Sequence, residues 1–567
     1  MRRVEGGTDQ PAPAGEWLGD LRSSRRKTDL PGLLAFLLVA LAWSSVPFFH
    51  PGLLNGESFL FHDHSYALFT ADQLLEGKLL FRDVFYQYGA LTAYVHAGWA
   101  ALFGNTILSY WRLALFLTCI GLAQIWVLLR RNNPRWWICV FGVVVLFPYF
   151  LVPGGSVGGT GGSLYIGLER ICLLGIALAW RPPATRTVRA ALLLGLLLGA
   201  MQWIKFGGAF VAGASIVMVD VLFLCAIPGE AKRWASWLNM SLATLAGFLA
   251  VEGVLAGLAL FLFPAALARE VLWPSWMVES YGSYGYKTVS LLHWFNLNYF
   301  LGQQLPMVAA LLAGIFLGGR LLARRKVATN RAETSLTLAG PYFFCAIFLF
   351  LALLIYLPHM WVAMPYAWMI LLPAAFFLGR APRWSQGLFL FACLPAFFVS
   401  AKNTIHPSPA GPLQAVHLAN DTLWLSPENA ARLRALQNVL EQLKQTRADP
   451  DGQPPAILGF PMGSGLHHFL GYPAATRHAW FMSGFVRPRE EQGLLDSLDR
   501  TLAVVVYFTE SPAGAPSADP STWANDSIPV FTRETCLAFP PRLLPPIEVD
   551  PGCWVFPVRP RTDPSAR

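Results

Sequence analysis

The sequence predicts a mainly α-helical protein that crosses a membrane many times and ends in a small α/β domain. Three observations carry this prediction. Hydrophobic residues make up 55% of the chain and charged residues only 13%. Apolar runs of membrane length recur between residues 33 and 399, and polar residues become frequent only after about residue 401. Soluble domains have about 25% charged residues, so half that proportion indicates burial in lipid.

A helix needs about 20 apolar residues to cross a bilayer. About eleven runs approach this length: 33–49, 108–129, 136–152, 164–180, 190–204, 207–226, 237–263, 299–317, 338–357, 360–378 and 387–399. The segment 91–103 is also apolar, but it is short and interrupted by His96, Gly98 and Trp99. We interpret it as a helix lying at the membrane interface. Every basic cluster beside a span then faces the cytoplasm, as the positive-inside rule requires.

This threading predicts three regions and places the N-terminus inside. Residues 1–29 are rich in Gly, Pro and charge, which favours a disordered cytoplasmic tail. No small-residue cleavage site follows the first apolar run, so we expect that run to remain as an anchor. Residues 30–400 form the transmembrane domain, with an exoplasmic loop at 50–107. Residues 401–567 form an exoplasmic domain with a helix at 427–445 and strands at 457–460 and 502–508.

The net charge of +9 does not indicate a nucleic-acid partner. Basic residues stand beside apolar spans and are not interleaved with aromatic residues on a soluble surface, so the lipid bilayer is the expected partner.

Six of the eight cysteines lie in apolar spans. Cys536 and Cys553 lie in the C-terminal domain, where an oxidising compartment would favour their pairing. Two reduced thiols remain the alternative, because spacing does not establish disulfide geometry.

The first exoplasmic loop concentrates ionisable residues against the membrane, where polar groups usually line a cavity or do chemistry. Asp63 is suited to act as a general base, because burial can raise the pKa of its carboxyl. The alternative is that Asp63 caps the N-terminus of a helix. His62 and His64 could tune that carboxyl or bind a phosphate. They lack a third ligand at defined spacing, so a metal site is the less favoured alternative. No other cofactor is expected. Asp83 is a second catalytic candidate, and a salt bridge with Arg82 is its alternative.

Further candidates for substrate binding lie in other predicted outer segments. Lys205 stands at the turn between two short spans, where a lysine can snorkel to the interface or hold a phosphate as a point charge. Arg112 presents the same choice, and Tyr86 in the first loop is a further candidate for substrate binding. Trp276 and Tyr284 belong to an aromatic-rich outer loop, which fits either a membrane-interface belt or a surface for sugar stacking.

An ordered series of short motifs in the first loop carries a family resemblance. The series runs from Asp63 through Leu-Leu-Glu-Gly at 74–77, Phe-Arg-Asp at 81–83, Tyr-Gly-Ala-Leu at 88–91 and Leu-Phe-Gly at 102–104 to Arg112. It resembles the first exoplasmic loop of GT-C glycosyltransferases, especially the bacterial mannosyltransferase-like and aminoarabinose-transferase-like branches. The chain departs from the pattern at Ala90, where the family often has proline.

The resemblance implies an enzyme of the bacterial cytoplasmic membrane whose active site faces the periplasm or exterior. Such enzymes move a sugar, with inversion, from a polyprenyl-phosphate donor to a lipid, glycan or protein acceptor. Asp63 would be the base, Lys205 and Arg112 would hold the phosphate, and Glu169 would supply the acid of the second outer loop. Two alternatives stay open. One is a transporter or flippase of a lipid-linked or envelope substrate, which predicts internal repeats that the sequence does not convincingly show. The other is a catalytically silent scaffold of the same fold.

Overall fold

The structure is a computed structural model that describes about half of the chain. It covers residues 34, 38, 63–132, 164–226, 231–272, 340–352, 412–446, 455–507, 535, 538, 540–550 and 553–559, with internal gaps at 87, 206, 461–462, 480–485, 487 and 499–500. The predicted spans 136–152, 299–317, 360–378 and 387–399 lie outside these ranges, and so does nearly all of 33–49. The predicted number of spans and the orientation of the N-terminus therefore stay predictions.

The described part before residue 400 is entirely helical apart from turns. Its helices are α1 (Asp63–Leu75), α2 (Ala90–Phe103), α3 (Ile107–Asn132), α4 (Leu164–Ala179), α5 (Val188–Ile204), α6 (Gly208–Ala226), α7 (Ala231–Leu262), α8 (Ala265–Leu272) and α9 (Gly340–Ala352). Helices α3 to α7 and α9 fall on six of the predicted apolar runs. Within the described residues, α3, α6 and α7 are long and apolar enough to cross a membrane.

Helix α2 has the dimensions that its interrupted sequence predicts. Its 14 residues span about 21 Å at 1.5 Å per residue, which is less than the bilayer core of about 30 Å. Ala93, Ala97 and Ala100 are buried, the last two against Ala71 of α1, while Leu102 is 77% exposed. The helix therefore presents small residues to α1 and a large apolar side chain outward. Its predicted position at the membrane interface stays a prediction.

The membrane helices pack closely because glycines replace side chains where they cross. A Cβ on Gly195 of α5 would collide with the carbonyl of Thr244 in α7. At the opposite end of α5 from Lys205, a buried ion pair joins Arg186 to Asp220 of α6 at 2.5 Å. Trp180 at the end of α4 donates its indole N–H to the same carboxylate at 3.0 Å. These contacts fix α4, α5 and α6 to one another, and a buried pair of this kind is costly to break.

The C-terminal region combines helices with β-strands. Its elements are β1 (Gln414–His417), β2 (Thr422–Leu425), α10 (Pro427–Thr446), β3 (Ala456–Phe460), α11 (Ser464–Leu470), α12 (Pro488–Ser497), β4 (Thr501–Tyr507), a 3₁₀ turn (Pro540–Arg542), β5 (Ile547–Asp550) and β6 (Cys553–Pro557). The strands β1 and β2 form a hairpin. The other four form a sheet in the order β3-β4-β6-β5, with β3 and β4 parallel and the remaining pairs antiparallel.

Helix α10 coincides with the helix predicted at 427–445, and β3 and β4 coincide with the two predicted strands. The helix begins where its sequence dictates. Ser426 accepts a hydrogen bond from the backbone N–H of Asn429 at 3.3 Å, and Pro427 occupies the first helical position. Leu433, Leu436 and Leu440 follow at helical spacing and are fully buried in the core of the domain.

The C-terminal domain packs directly on the first loop. The backbone N–H of Phe85 donates to the carbonyl of Arg477 at 2.8 Å. The backbone N–H of Ile107, at the start of α3, donates to the carboxylate of Asp421 at 2.5 Å. Leu68 of α1 shares one buried apolar cluster with Phe469 of α11. The first loop is thus held between the membrane helices and the C-terminal domain.

The cysteine prediction receives no support from the structure. Cys553 lies in β6 with a free, buried thiol, and burial raises its pKa to about 12. A thiol with that pKa is a poor partner for thiol–disulfide exchange, because the thiolate is the reactive form. Cys536 lies outside the described residues. A disulfide between Cys536 and Cys553 remains an untested prediction.

Candidate functional site

The candidate site lies where α5 ends and α6 begins. Lys205 caps α5 in an extended conformation (φ −152°, ψ 118°), and its backbone N–H closes the last turn on Met201. Two residues later Gly207 has φ +88°, a left-handed conformation that favours glycine, and α6 begins at Gly208. The sequence predicted Lys205 at a turn between two short spans, and the structure places it there. Its side chain is only 7% exposed.

The first loop lies directly against this break in the helix. The backbone N–H of Gly89 donates to the carbonyl of Ile204 at 3.0 Å. A Cβ on Gly89 would collide with the carbonyl of Trp203, so only glycine allows the two backbones to approach so closely. This contact sets the position of Tyr88, the residue before it, relative to Lys205.

A column of four tyrosines leads from α1 to Lys205. Tyr66 of α1 lies 5.2 Å from Tyr86, Tyr86 lies 5.6 Å from Tyr88, and Tyr88 stacks on Tyr165 of α4 at 3.9 Å between ring centroids. The Lys205 ammonium nitrogen Nζ lies 5.4 Å from the centre of the Tyr165 ring, within cation–π range. Tyr86 was a predicted binding residue. We name Tyr66, Tyr86, Tyr88, Tyr165 and Lys205 together the tyrosine column.

Glu169 lies one helical turn after Tyr165 on the same face of α4. Its side chain is buried at 1% exposure, and its carboxylate lies against the first residue of α6, where a Cβ on Gly208 would collide with Oε1. A carboxylate is stabilised near the positive end of a helix. The break in the helix therefore places the predicted acid Glu169 and the predicted cation Lys205 in one small region.

The start of α1 connects to this region through the same column. Asp63 is the first residue of α1, three positions before Tyr66, and the structure describes its backbone but not its side chain. His64 is buried against Tyr110 and Trp111 of α3, with ring centroids 5.3 Å and 5.8 Å away. These contacts fix the end of α1 that carries Asp63 on the membrane helices. They also give His64 a packing role, and its predicted role in substrate binding stays a prediction.

Asp83 forms a local hydrogen-bonded pair with its neighbour Arg82. Its carboxylate accepts two hydrogen bonds from Arg82, at 2.8 and 2.6 Å, and one from the backbone N–H of Leu79 at 2.9 Å. The hydrogen bonds from Arg82 hold the pKa of the Asp83 carboxyl below its ordinary value. A weakly basic carboxylate that is already engaged on both oxygens is poorly suited to proton abstraction. The geometry favours the salt-bridge alternative over the predicted catalytic role.

Arg112 does not join the tyrosine column in the structure. It lies on the exposed face of α3, while its neighbours Trp111 and Leu113 are buried. The rotation of α3 explains this, because the aromatic residues at 110 and 111 pack on His64 and turn position 112 outward. The predicted residues His62, Trp276 and Tyr284 lie outside the described residues, and their roles stay predictions.

Four members of the site were not predicted from the sequence. Tyr66, Tyr88 and Tyr165 come together only through tertiary packing, although the spacing of Tyr66 from Asp63 places both on one helical face. Glu252 of α7 is the fourth, and its carboxylate accepts the indole N–H of Trp203 at 3.1 Å. An acid within an apolar span is itself a signal of function.

The described residues contain no group of three or more His, Cys, Asp or Glu side chains that could hold a metal ion. Because this observation concerns only part of the chain, the absence of a metal or cofactor stays a prediction. The functional groups that the described part does bring together are a lysine, a buried acid and stacked tyrosines. Such a set can bind an anion beside a sugar-like ring, because the ammonium attracts phosphate and aromatic faces stack on sugars.

No protein-family model and no curated protein sequence matches the chain. Two crystal structures of ArnT from Cupriavidus metallidurans are similar to it. The structure bound to undecaprenyl phosphate has a TM-score of 0.47 and 13% sequence identity, over 93% of this chain and 98% of ArnT. The apo structure has a TM-score of 0.37 and 11% identity, over 92% and 97%.

Proposed function

We propose that this protein is a membrane glycosyltransferase that moves a sugar from a polyprenyl-phosphate donor to a lipid, glycan or protein acceptor on the exoplasmic face. One observation carries the proposal: the tyrosine column ends on the buried Lys205 at a break between two apolar helices. This arrangement supplies a cation where two apolar helices meet, with aromatic faces beside it. The first-loop motifs support the same activity independently.

In the proposed reaction, the hydroxyl oxygen of the acceptor attacks the anomeric carbon of the donor sugar. The bond between that carbon and the phosphate oxygen breaks, and the phosphate leaves with the electron pair. Asp63 takes the proton of the hydroxyl, which completes the balance of atoms and charge. Lys205 stabilises the charge that develops on the leaving phosphate. A single displacement of this kind inverts the anomeric configuration.

The remaining members of the site have supporting roles. Tyr88 and Tyr165 form the stacked pair nearest Lys205, and we assign them the sugar face of the donor. Glu169 lies at the start of α6, where its carboxylate can orient Lys205 or accept a hydrogen bond from a donor hydroxyl. Arg112, on the exposed face of α3, is left out of this assignment.

The test measures sugar transfer by the purified protein in lipid vesicles. Radiolabelled sugars on undecaprenyl phosphate are supplied to the wild type and to Asp63→Asn, and released phosphate carrier and labelled acceptor are both quantified. We expect transfer by the wild type and a loss of about 10²- to 10⁴-fold in the variant, because Asn cannot accept the proton. Full transfer by Asp63→Asn would overturn the mechanism. Movement of intact donor across the membrane without cleavage would instead identify a flippase.

A further inference from the structure

Helix α1, which begins at Asp63, packs along one face against helix α11 of the C-terminal domain. Near its start, the Ser65 hydroxyl lies 2.8 Å from the Ser464 hydroxyl. One turn later, the Phe69 ring lies 5.4 Å from the His467 ring. Near its end, Asp72 accepts a hydrogen bond from Nδ1 of His468 at 2.5 Å. Positions 65, 69 and 72 follow the i, i+4, i+7 spacing of one helical face, so the two helices run side by side in the same direction.

Asp72 of α1 forms hydrogen bonds to two other segments: α11, and the turn between α2 and α3. Its carboxylate also accepts a hydrogen bond from Nδ2 of Asn105 at 2.7 Å, in the turn between α2 and α3. The His468 side chain has no exposed surface, while the side chain of Asp72 is 24% exposed. A hydrogen bond from a buried imidazole to a carboxylate is stronger than one between neutral groups. The C-terminal domain therefore holds the far end of α1 through a specific polar contact as well as through apolar packing.

Helix α1 depends on such contacts for its position. It has 13 residues, and an isolated helix of that length is marginal in water. It ends at Leu75 and is followed by Gly77 with φ +83°, so no further helical turn extends it into a neighbouring element. Its orientation is consequently set by what packs along its sides. One side is the helix pair α2 and α3, and another is α11.

We propose that Ser464 and His468 of the C-terminal domain are positioning residues for the transfer reaction, acting through α1 on Asp63. This inference rests on the proposed function. A shift of about 1 Å in a catalytic group can lower a rate about 100-fold. The C-terminal domain thereby contributes to the active site, because it sets where the first residue of α1 lies. It need not touch the substrate.

The test uses three substitutions in the full-length protein in lipid nanodiscs. His468→Leu removes the donor, and His468→Asn retains an N–H at the place of Nδ1. His417→Leu is the matched control, because His417 is an exposed histidine in the same domain, bonded to Thr422. Two quantities are measured for each: amide hydrogen exchange of residues 63–75, and kcat and KM for a sugar on undecaprenyl phosphate.

We expect His468→Leu to raise the exchange rate in α1 at least 10-fold. It should lower kcat about 10- to 100-fold while KM for the donor changes less than about 3-fold. His468→Asn should restore both quantities, and His417→Leu should change neither. Unchanged exchange in His468→Leu, or raised exchange with unchanged kcat, would overturn the inference. If the wild type transfers no sugar at all, the proposed function fails, and the exchange measurement still decides whether α11 positions α1.

A cross-link covers the case in which His468→Leu fails to fold. The adjacent hydroxyls of Ser65 and Ser464 make Ser65→Cys with Ser464→Cys a suitable pair for disulfide formation. Positioning by α11 predicts that the oxidised double variant cross-links readily and keeps at least half of the wild-type kcat. A loss of activity on oxidation that is reversed by reduction would overturn the inference, because α11 would then have to leave α1 during turnover.

Discussion

The ring of Tyr88 stacks on the ring of Tyr165 at 3.9 Å between centroids, with the two planes 21° apart. This contact joins the first loop to membrane helix α4, and Lys205 lies on the same Tyr165 ring. Loop residues and helix residues thereby form one surface beside a buried cation. We assign binding of the sugar donor to that surface.

The stacked pair predicts a clear order among substitutions of Tyr165. Tyr165→Phe keeps the ring and should leave KM for the sugar donor within about 3-fold of wild type. Tyr165→Leu removes both the stacking and the cation–π contact, each about 0.5 to 1.5 kcal/mol, and should raise KM about 10-fold. Steady-state kinetics measures both. Tyr94→Leu, at a half-exposed tyrosine of α2, is the control. Equal effects of Phe and Leu at position 165 would argue against a role for the ring face.

The close approach of Gly89 to the end of α5 predicts that Gly89→Ala destabilises the protein. The new methyl group would collide with the carbonyl of Trp203, and overpacking of this kind costs about 1 to 3 kcal/mol. We expect a lower thermal midpoint and reduced donor affinity together. Gly98→Ala is the matched control, because a Cβ there meets nothing within 4 Å and alanine favours the helix. A thermal midpoint of Gly89→Ala equal to that of Gly98→Ala would contradict the described contact.

Two buried histidines beside α1 predict that the protein loses stability in mild acid. Burial lowers the pKa of His96 and of His467 to about 4, from 6.5. Between pH 6.5 and pH 4 the unfolded chain binds more protons than the folded chain, so stability falls as the pH falls through that window. The loss is at most roughly 3 kcal/mol for each histidine, and it is complete below about pH 4.

Thermal unfolding across this pH range measures the effect. His96→Asn and His467→Asn keep an N–H donor for the carbonyls that the rings contact, Ala67 and Tyr472, but they do not titrate. The double variant should therefore show a flatter dependence of the thermal midpoint on pH than the wild type does. Parallel curves for the two proteins would show that other groups control acid sensitivity.

Substitutions of Asp63 and Asp83, the two carboxylates that the sequence predicts as catalytic, should lower kcat to very different extents. Asp83→Asn disrupts an exposed pair with Arg82, a contact worth about 0 to 1 kcal/mol, and should lower kcat less than about 5-fold. Asp63→Asn should lower kcat about 10²- to 10⁴-fold. Transfer assays on both variants decide the matter. A loss at position 83 as large as that at position 63 would restore Asp83 as a catalytic residue.

Much of the architecture follows from local sequence pattern. The apolar run at 164–180 became α4, and the run at 207–226 became α6, because an apolar stretch that satisfies its own backbone hydrogen bonds must be helical in lipid. Helix α10 was predicted to within one residue of its end, because Ser426 and Pro427 mark its start and leucines follow at helical spacing. These signals depend only on neighbours along the chain.

The site was predicted only in part, because its geometry depends on packing between distant segments. Lys205 and Glu169 were predicted singly, and their shared position at the start of α6 arises from the way α4 packs on the turn. Arg112 is the clearest example of a position that the sequence alone did not predict. Apart from Arg112, apolar residues occur on every face of the run 108–129, so its sequence alone does not determine which side faces the core. Packing of Trp111 on His64 makes that choice and turns Arg112 outward.

Binding of undecaprenyl phosphate to Lys205→Met in nanodiscs tests directly whether Lys205 holds the donor phosphate. Lys205 is 7% exposed beside the Tyr165 ring, and loss of its charge should weaken binding about 10- to 100-fold relative to the wild type. Lys78→Met, at a lysine of the first loop that pairs with Glu76, should bind as the wild type does. Unchanged affinity in Lys205→Met would contradict the assignment of the break between α5 and α6 as the phosphate end of the donor site.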